Sequence, residues 1–233
     1  MAKKEQDSEK PLDFGIENLD IQETISKSEQ FLEKYKNIVY GVLGGVVVVA
    51  GLIYYINGIY LPNKQQEAQN LMYVAERYFE NDSLNLAING DGNFPGFEEI
   101  ADDYGWTKAG KLANYYLGIS YLRLGKYEEA IDKLKSFSTD EPIIGSIALG
   151  ATGDAYLELG QEDKALDYYL KAANKEENQF TTPVYLMRAG ELAESMGNTK
   201  KALELYEQIF ADYKNSAEGQ AVEKYIARAK AAN

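Results

Sequence analysis

Residues 117–134, LGISYLRLGKYEEAIDKL, decide the fold, because the chain writes the same pattern three times. It returns as TGDAYLELGQEDKALDYY at 152–169 and as AGELAESMGNTKKALELY at 189–206. The glycines Gly118, Gly153 and Gly190 lie 35 and 37 residues apart, and Gly125/Gly160/Gly197 and Ala130/Ala165/Ala202 keep the same offsets. Such a period marks stacked structural units rather than one irregular domain. Each unit reads as helix, turn, helix. The first glycine leaves room where paired helices cross. The second stands where a left-handed cap ends the first helix and needs no Cβ. The alanine lets the second helix pack closely.

The pattern resembles the tetratricopeptide repeat, a helix–turn–helix of about 34 residues. The resemblance implies an all-α fold: an α-solenoid with repeats at 111–144, 146–179 and 183–216. Pro142 falls near the end of the first unit. Residues 216–232 carry Ala221, Val222, Tyr225, Ile226 and Ala229 at helical spacing and read as one solvating cap helix. Before the repeats, 63–104 reads as a degenerate pair. Its first helix, 63–80, carries Leu71, Val74, Ala75, Tyr78 and Phe79 on one side, and a short helix follows at 96–104. Between them lies a polar loop at 81–95 containing NGDGN. Asn89, Asp91 and Asn93 alternate as in a calcium loop, but Phe94 and Ile100 occupy the positions of its Gly and closing Glu, so a turn is expected. Trp106, the sole Trp, falls between this pair and the first good repeat and is expected in the core.

Upstream lies a different chemistry. Residues 38–60, IVYGVLGGVVVVAGLIYYINGIY, contain no charge and one amide, Asn57. Twenty-three residues exceed the roughly 20 that a helix needs to cross a hydrocarbon core of about 30 Å. Twelve Ile, Val and Leu favour insertion by about 4–7 kcal/mol. The run starts too far from Met1, and is too long, for a cleaved signal peptide. A single transmembrane helix is expected, with Tyr35 and Tyr40 at one interface and Tyr54, Tyr55 and Tyr60 at the other. Gly41 and Gly45 form a G-x-x-x-G pair, with Gly44 beside them, which suits close packing against another helix. Residues 1–37 form a tail. Positions 1–18 read as disordered; Asp20 and Glu23 resemble a capping box. Ile21, Ile25, Ser28, Leu32 and Tyr35 recur at helical spacing, either to bind a partner or as a spacer. Six lysines lie in this short tail, so the positive-inside rule puts it in the cytoplasm and the large domain, residues 61–233, on the far side.

Composition excludes several functions. The chain has no Cys and no His, which removes disulfides, thiolate or imidazole metal sites, and any Ser-His-Asp triad. The formal charge is −13, which disfavours nucleic acid. Glu98/Glu99, Glu128/Glu129 and Glu176/Glu177 are adjacent pairs, and helical neighbours do not converge on one pocket. No catalytic set, metal or cofactor is expected. The chain reads as no enzyme.

A binding surface is expected instead on the first helices of the units. The inward positions of the repeat motif carry over to Tyr115, Ile119 and Leu122, to Gly150, Asp154 and Leu157, and to Met187, Glu191 and Glu194. This makes a groove with an apolar end and an acidic end, suited to a segment with apolar and basic side chains. Tyr168, Tyr169 and Tyr206 fall on second helices and are expected to pack.

The layout of short tail, single span and acidic repeat domain, with EEIADDYGWTKAGKLANYYLG at 98–118, resembles the YfgM-like family of ancillary SecYEG translocon subunits. The resemblance covers nearly everything after about Glu29. It implies a bacterial inner-membrane protein with a periplasmic repeat domain. Its partners would be the SecYEG translocon, a periplasmic prolyl isomerase-like chaperone and emerging secreted polypeptide segments. The loop at 81–95 and the long tail depart from the family layout. They leave room for an alternative, an envelope scaffold that assembles another membrane or division complex.

Overall fold

A computed structural model describes the backbone of residues 21–232 and the side chains from residue 33 onward. The expected disorder at 1–18, the cap at Asp20 and the stripe at Ile21, Ile25, Ser28 and Leu32 lie outside what is described. Among the described residues the protein is all-helical. It divides into two compact units, one ending at Gly58 and one beginning at Ile59.

In the first unit, α1 runs over Ile21–Tyr55, and a π-helical turn follows at Ile56–Tyr60. The helix is long and apolar enough to cross a membrane. Most of its described apolar side chains are exposed; Val47 is 70% exposed and Leu52 55%. The one amide within residues 38–60 bonds locally, Asn57 Nδ2 donating to the Ile53 carbonyl at 2.9 Å, as a hydrocarbon environment favours.

The second unit comprises α2 (Leu61–Glu80), α3 (Leu84–Asn89), α4 (Phe97–Tyr104), α5 (Lys108–Arg123), α6 (Tyr127–Ser136), α7 (Pro142–Glu158), α8 (Glu162–Asn174), α9 (Thr182–Ser195), α10 (Thr199–Asp212), α11 (Ala217–Ala221) and α12 (Glu223–Ala231). Helices α5/α6, α7/α8 and α9/α10 pack as pairs; α6 also packs on α7 and α8 on α9, so the pairs stack. Each pair turns in the same way. Gly125, Gly160 and Gly197 adopt φ of 74°, 69° and 78°, the left-handed region that favours glycine. At each turn two hydrogen bonds close the helix end. Gly125 N–H donates to the Leu122 carbonyl and Lys126 N–H to that of Tyr121, and the same pair recurs at Gly160/Gln161 and Gly197/Asn198. This is a complete Schellman motif, made three times.

The crossing glycines also act as expected. A Cβ on Gly118 would collide with Leu134, on Gly153 with the Tyr169 ring, and on Gly190 with the Tyr206 ring. Ala130, Ala165 and Ala202 are fully buried opposite them. Tyr169 and Tyr206 are buried and Tyr168 half-buried, so these tyrosines pack.

Three details differ from the sequence reading. The loop at 81–95 contains α3, because Leu84, Ala87 and Ile88 share one buried face. The turn within NGDGN is present; Asp91 accepts from the backbone N–H groups of Asn93 and Phe94 and from the Tyr78 hydroxyl. Those bonds, that from Phe94 first, hold its carboxyl below the usual range. The cap at 216–232 is two short helices, not one, and Val222 at the break is fully buried. Finally, Trp106 is not in the core: it is 47% exposed and stacks on Tyr60.

Candidate partner-binding groove

Helices α5, α7 and α9 carry the candidate side chains, three positions each, in register with the crossing glycines. At the first, Tyr115, Ile119 and Leu122 are half-buried and pack toward α6 and α7 against Leu134, Ala148 and Ala151. The Tyr115 ring tilts against Phe137, centroids 5.5 Å apart. Burial pushes its hydroxyl pKa up. These residues therefore cement two repeats and offer part of their surface.

On α7 and α9 the arrangement is polar. A cleft of about 420 Å³ is lined by Asp154, Leu157, Tyr169, Arg188, Glu191 and Leu192, among others. Leu157 is exposed there, and Glu191 is exposed beside it. Gly150, expected inward, is covered by the Tyr185 ring, which occupies the place of its missing Cβ; burial pushes the Tyr185 hydroxyl up to about 12. Met187 is only 8% exposed and belongs to the core, so it contributes little to any groove. A methionine one helical turn before Gly190 fills the space between α9 and its neighbours instead.

The carboxylates are held rather than free. Asp154 accepts from the Tyr169 hydroxyl at 2.7 Å and from Arg188 at 2.5 Å. Glu194 accepts from Arg228 through Nε at 2.6 Å and Nη2 at 2.7 Å, and from the Tyr206 hydroxyl at 2.9 Å. The bidentate guanidinium is a strong, directional partner. Its hydrogen bonds, aided by Tyr206 and opposed by burial, hold the Glu194 carboxyl below the usual range. Tyr169 and Tyr206 are both pushed well up, by burial first and then by the carboxylate each contacts. So repeats two and three each reach a tyrosine across their crossing glycine onto an acid, and an arginine from a later helix completes the set. The first repeat has Leu134 at that place and no such set. Among the described residues, Glu162 and Glu191 line the cleft with no arginine on either; Glu191 pushes the nearby Tyr225 hydroxyl pKa up. Asp154, Glu162, Glu191 and Glu194 face two guanidinium groups, which offset about half of the acidity of this end.

Arg188 and Arg228 did not emerge from the sequence reading. A signal existed: each lies 34 residues after its carboxylate, one repeat length on. The glycines of α1 stand apart from all this. Among the described residues, a Cβ at Gly41, Gly44 or Gly45 would meet nothing within 4 Å. Among the described residues no group of three or more acids is placed to hold a metal ion.

Tetratricopeptide repeat family models match residues 112–142 and 185–216, and a second such model matches 148–174. The chain thus carries tetratricopeptide repeats, the scaffold of a protein–protein interaction module. No curated protein matches it. Two similar crystal structures hold nearly identical TPR-like repeats assigned to a kinesin light chain of Podosopora anserina. One is 17% identical, with a TM-score of 0.54, and covers 72% of this chain and 87% of the other. The second is 16% identical, with a TM-score of 0.53, and covers 72% and 88%. At that identity the likeness concerns the fold alone.

Proposed function

We propose that the protein is a membrane-anchored interaction module that assists the SecYEG translocon and the handling of emerging secreted chains. In this reading α1 crosses the bacterial inner membrane, the N-terminus is cytoplasmic and the repeats are periplasmic. A periplasmic prolyl isomerase-like chaperone and secreted polypeptide segments are the other partners. The observation that carries the reading is one apolar helix, exposed along its length, in the same chain as stacked tetratricopeptide repeats. The resemblance of the layout to the YfgM-like family supplies the Sec connection. The groove on α5, α7 and α9 takes the partner segment. Apolar side chains of that segment lie against Tyr115, Ile119, Leu122 and Leu157. A Lys or Arg of the segment meets Glu191, or displaces an arginine from Asp154 or Glu194.

Photocrosslinking from Leu157 and Glu191 in intact cells tests this, alongside purification in mild detergent. Sec subunits and secreted chains should be recovered. Recovery of other envelope complexes without Sec would favour the scaffold reading. Tyr115→Ala should weaken crosslinking at any salt concentration, through lost apolar contact. Glu191→Gln should weaken it most at low salt, because an exposed charge is screened. Protease added to spheroplasts should digest the repeats and spare the tail.

A further inference from the structure

We propose that the turn carrying Trp106 rests in the headgroup layer of the bilayer, where Trp106 and Tyr60 anchor the repeat unit to the lipid surface. The proposal builds on the reading of 38–60 as a membrane span. A 23-residue helix rises about 34 Å, against a hydrocarbon core of about 30 Å. Tyr60, the last residue of the run, therefore falls at headgroup depth. Trp106 stacks on Tyr60, ring centroids 5.9 Å apart and planes 11° from parallel, so it shares that depth. The contact is braced by three others. Ala109 N–H donates to Gln65 Oε1 at 3.2 Å and the Tyr104 hydroxyl to Glu67 at 2.7 Å; Lys64 Nζ lies 5.6 Å from the Tyr104 ring centre. Together they tie the turn between α4 and α5 to the first turns of α2, immediately after the apolar run.

The chemistry fits a lipid interface. Tyr60 and Trp106 remain 44% and 47% exposed although stacked. Indole and phenol each pair an apolar ring with a polar tip, which suits the boundary between hydrocarbon and water. Lys108, two residues after Trp106, is exposed and carries an apolar stem and a cationic head able to reach lipid phosphates, while Lys64 is held by Glu67 at 2.7 Å.

Trp106 is the only tryptophan, so its fluorescence reports this position alone. The full chain would be reconstituted into phosphatidylcholine vesicles brominated either high on the acyl chain, near the headgroup, or near the bilayer midplane. Shallow bromines should remove most of the Trp106 emission, and deep ones much less. A second protein, Val47→Trp in a Trp106→Phe background, should show the opposite order, because Val47 lies mid-span. If Val47→Trp is quenched by deep bromines while Trp106 is quenched by neither lipid, or more by the deep one, the anchoring proposal fails and the span stands. If neither protein is quenched, the span fails and the proposal with it.

Discussion

Six glycines in this chain can be compared directly: Gly118, Gly153 and Gly190 in the repeats, and Gly41, Gly44 and Gly45 in α1. All stand in helices, where glycine is unfavourable by roughly 1 kcal/mol relative to alanine. In the repeats the missing Cβ is replaced by a specific neighbour, Leu134, Tyr169 or Tyr206. In α1 an added Cβ would meet nothing within 4 Å among the described residues. The same sequence signal therefore means a filled contact in one region and an open surface in the other. A helical glycine shows only that space is wanted; burial around it shows whether the chain itself fills that space.

The largest expected effect follows from the filled case. Gly190→Leu drives a side chain into the fully buried Tyr206 ring, which must leave its place and lose Glu194. Overpacking of this kind costs about 1–3 kcal/mol, and the lost buried hydrogen bond adds roughly 1–3 kcal/mol. Thermal unfolding followed by circular dichroism should show Tm lowered by several degrees. An unchanged Tm would mean that the crossing has slack, and the comparison would lose its basis.

A smaller effect comes from the turn glycines. Gly125→Val forces a β-branched residue to φ near 74°, at a cost of about 1–2 kcal/mol. Gly125→Asn, which tolerates the left-handed region, should recover much of it. If both variants are equally destabilised, the loss is one of space, not of backbone conformation.

These two glycine sets were legible in sequence because backbone and packing constraints recur with the repeat, so three copies expose them. Features made once were not. Trp106 sits in a turn without periodicity, and its aromatic character alone suggested the core. Helix α3 hid in an Asn-rich segment, where only Leu84, Ala87 and Ile88 betray a buried face. The acidic groove was read by repeat position alone, and so without Arg188 and Arg228, which come from later helices. A search at one repeat length from each acid would have found both. Met187 was assigned by motif position alone, while its burial depends on what α9 packs against.

The pairing of Glu194 gives a third, modest prediction. Its carboxyl is held below the ordinary value, chiefly by Arg228. Stability from this group is therefore present above the unfolded carboxylate pKa, about 4.3, and is lost as pH falls through the folded value. Glu194→Gln should lower Tm at neutral pH and change it little in strong acid, so that variant and parent converge on acidification. A constant difference at all pH values would assign the loss to shape and not to charge.

The smallest expected effect on stability belongs to the open glycines, and it tests the comparison from the other side. Replacing both Gly41 and Gly45 with Ile adds bulk where none of the described residues stands. It also raises hydrophobicity, so insertion should persist. No repeat residue is altered, and unfolding of the repeats should be unchanged. What should change is association, because a small-residue face lets another helix approach closely and two isoleucines hold it away. Recovery of membrane partners in mild detergent should fall, while crosslinks from Leu157 in the groove persist if the groove binds independently. Loss of both would mean that the helix contact brings the groove to its ligand. Unchanged recovery of membrane partners would mean that no neighbour fills the space left at Gly41 and Gly45. The open glycines would then be surface facing lipid, and the groove would carry the interaction alone.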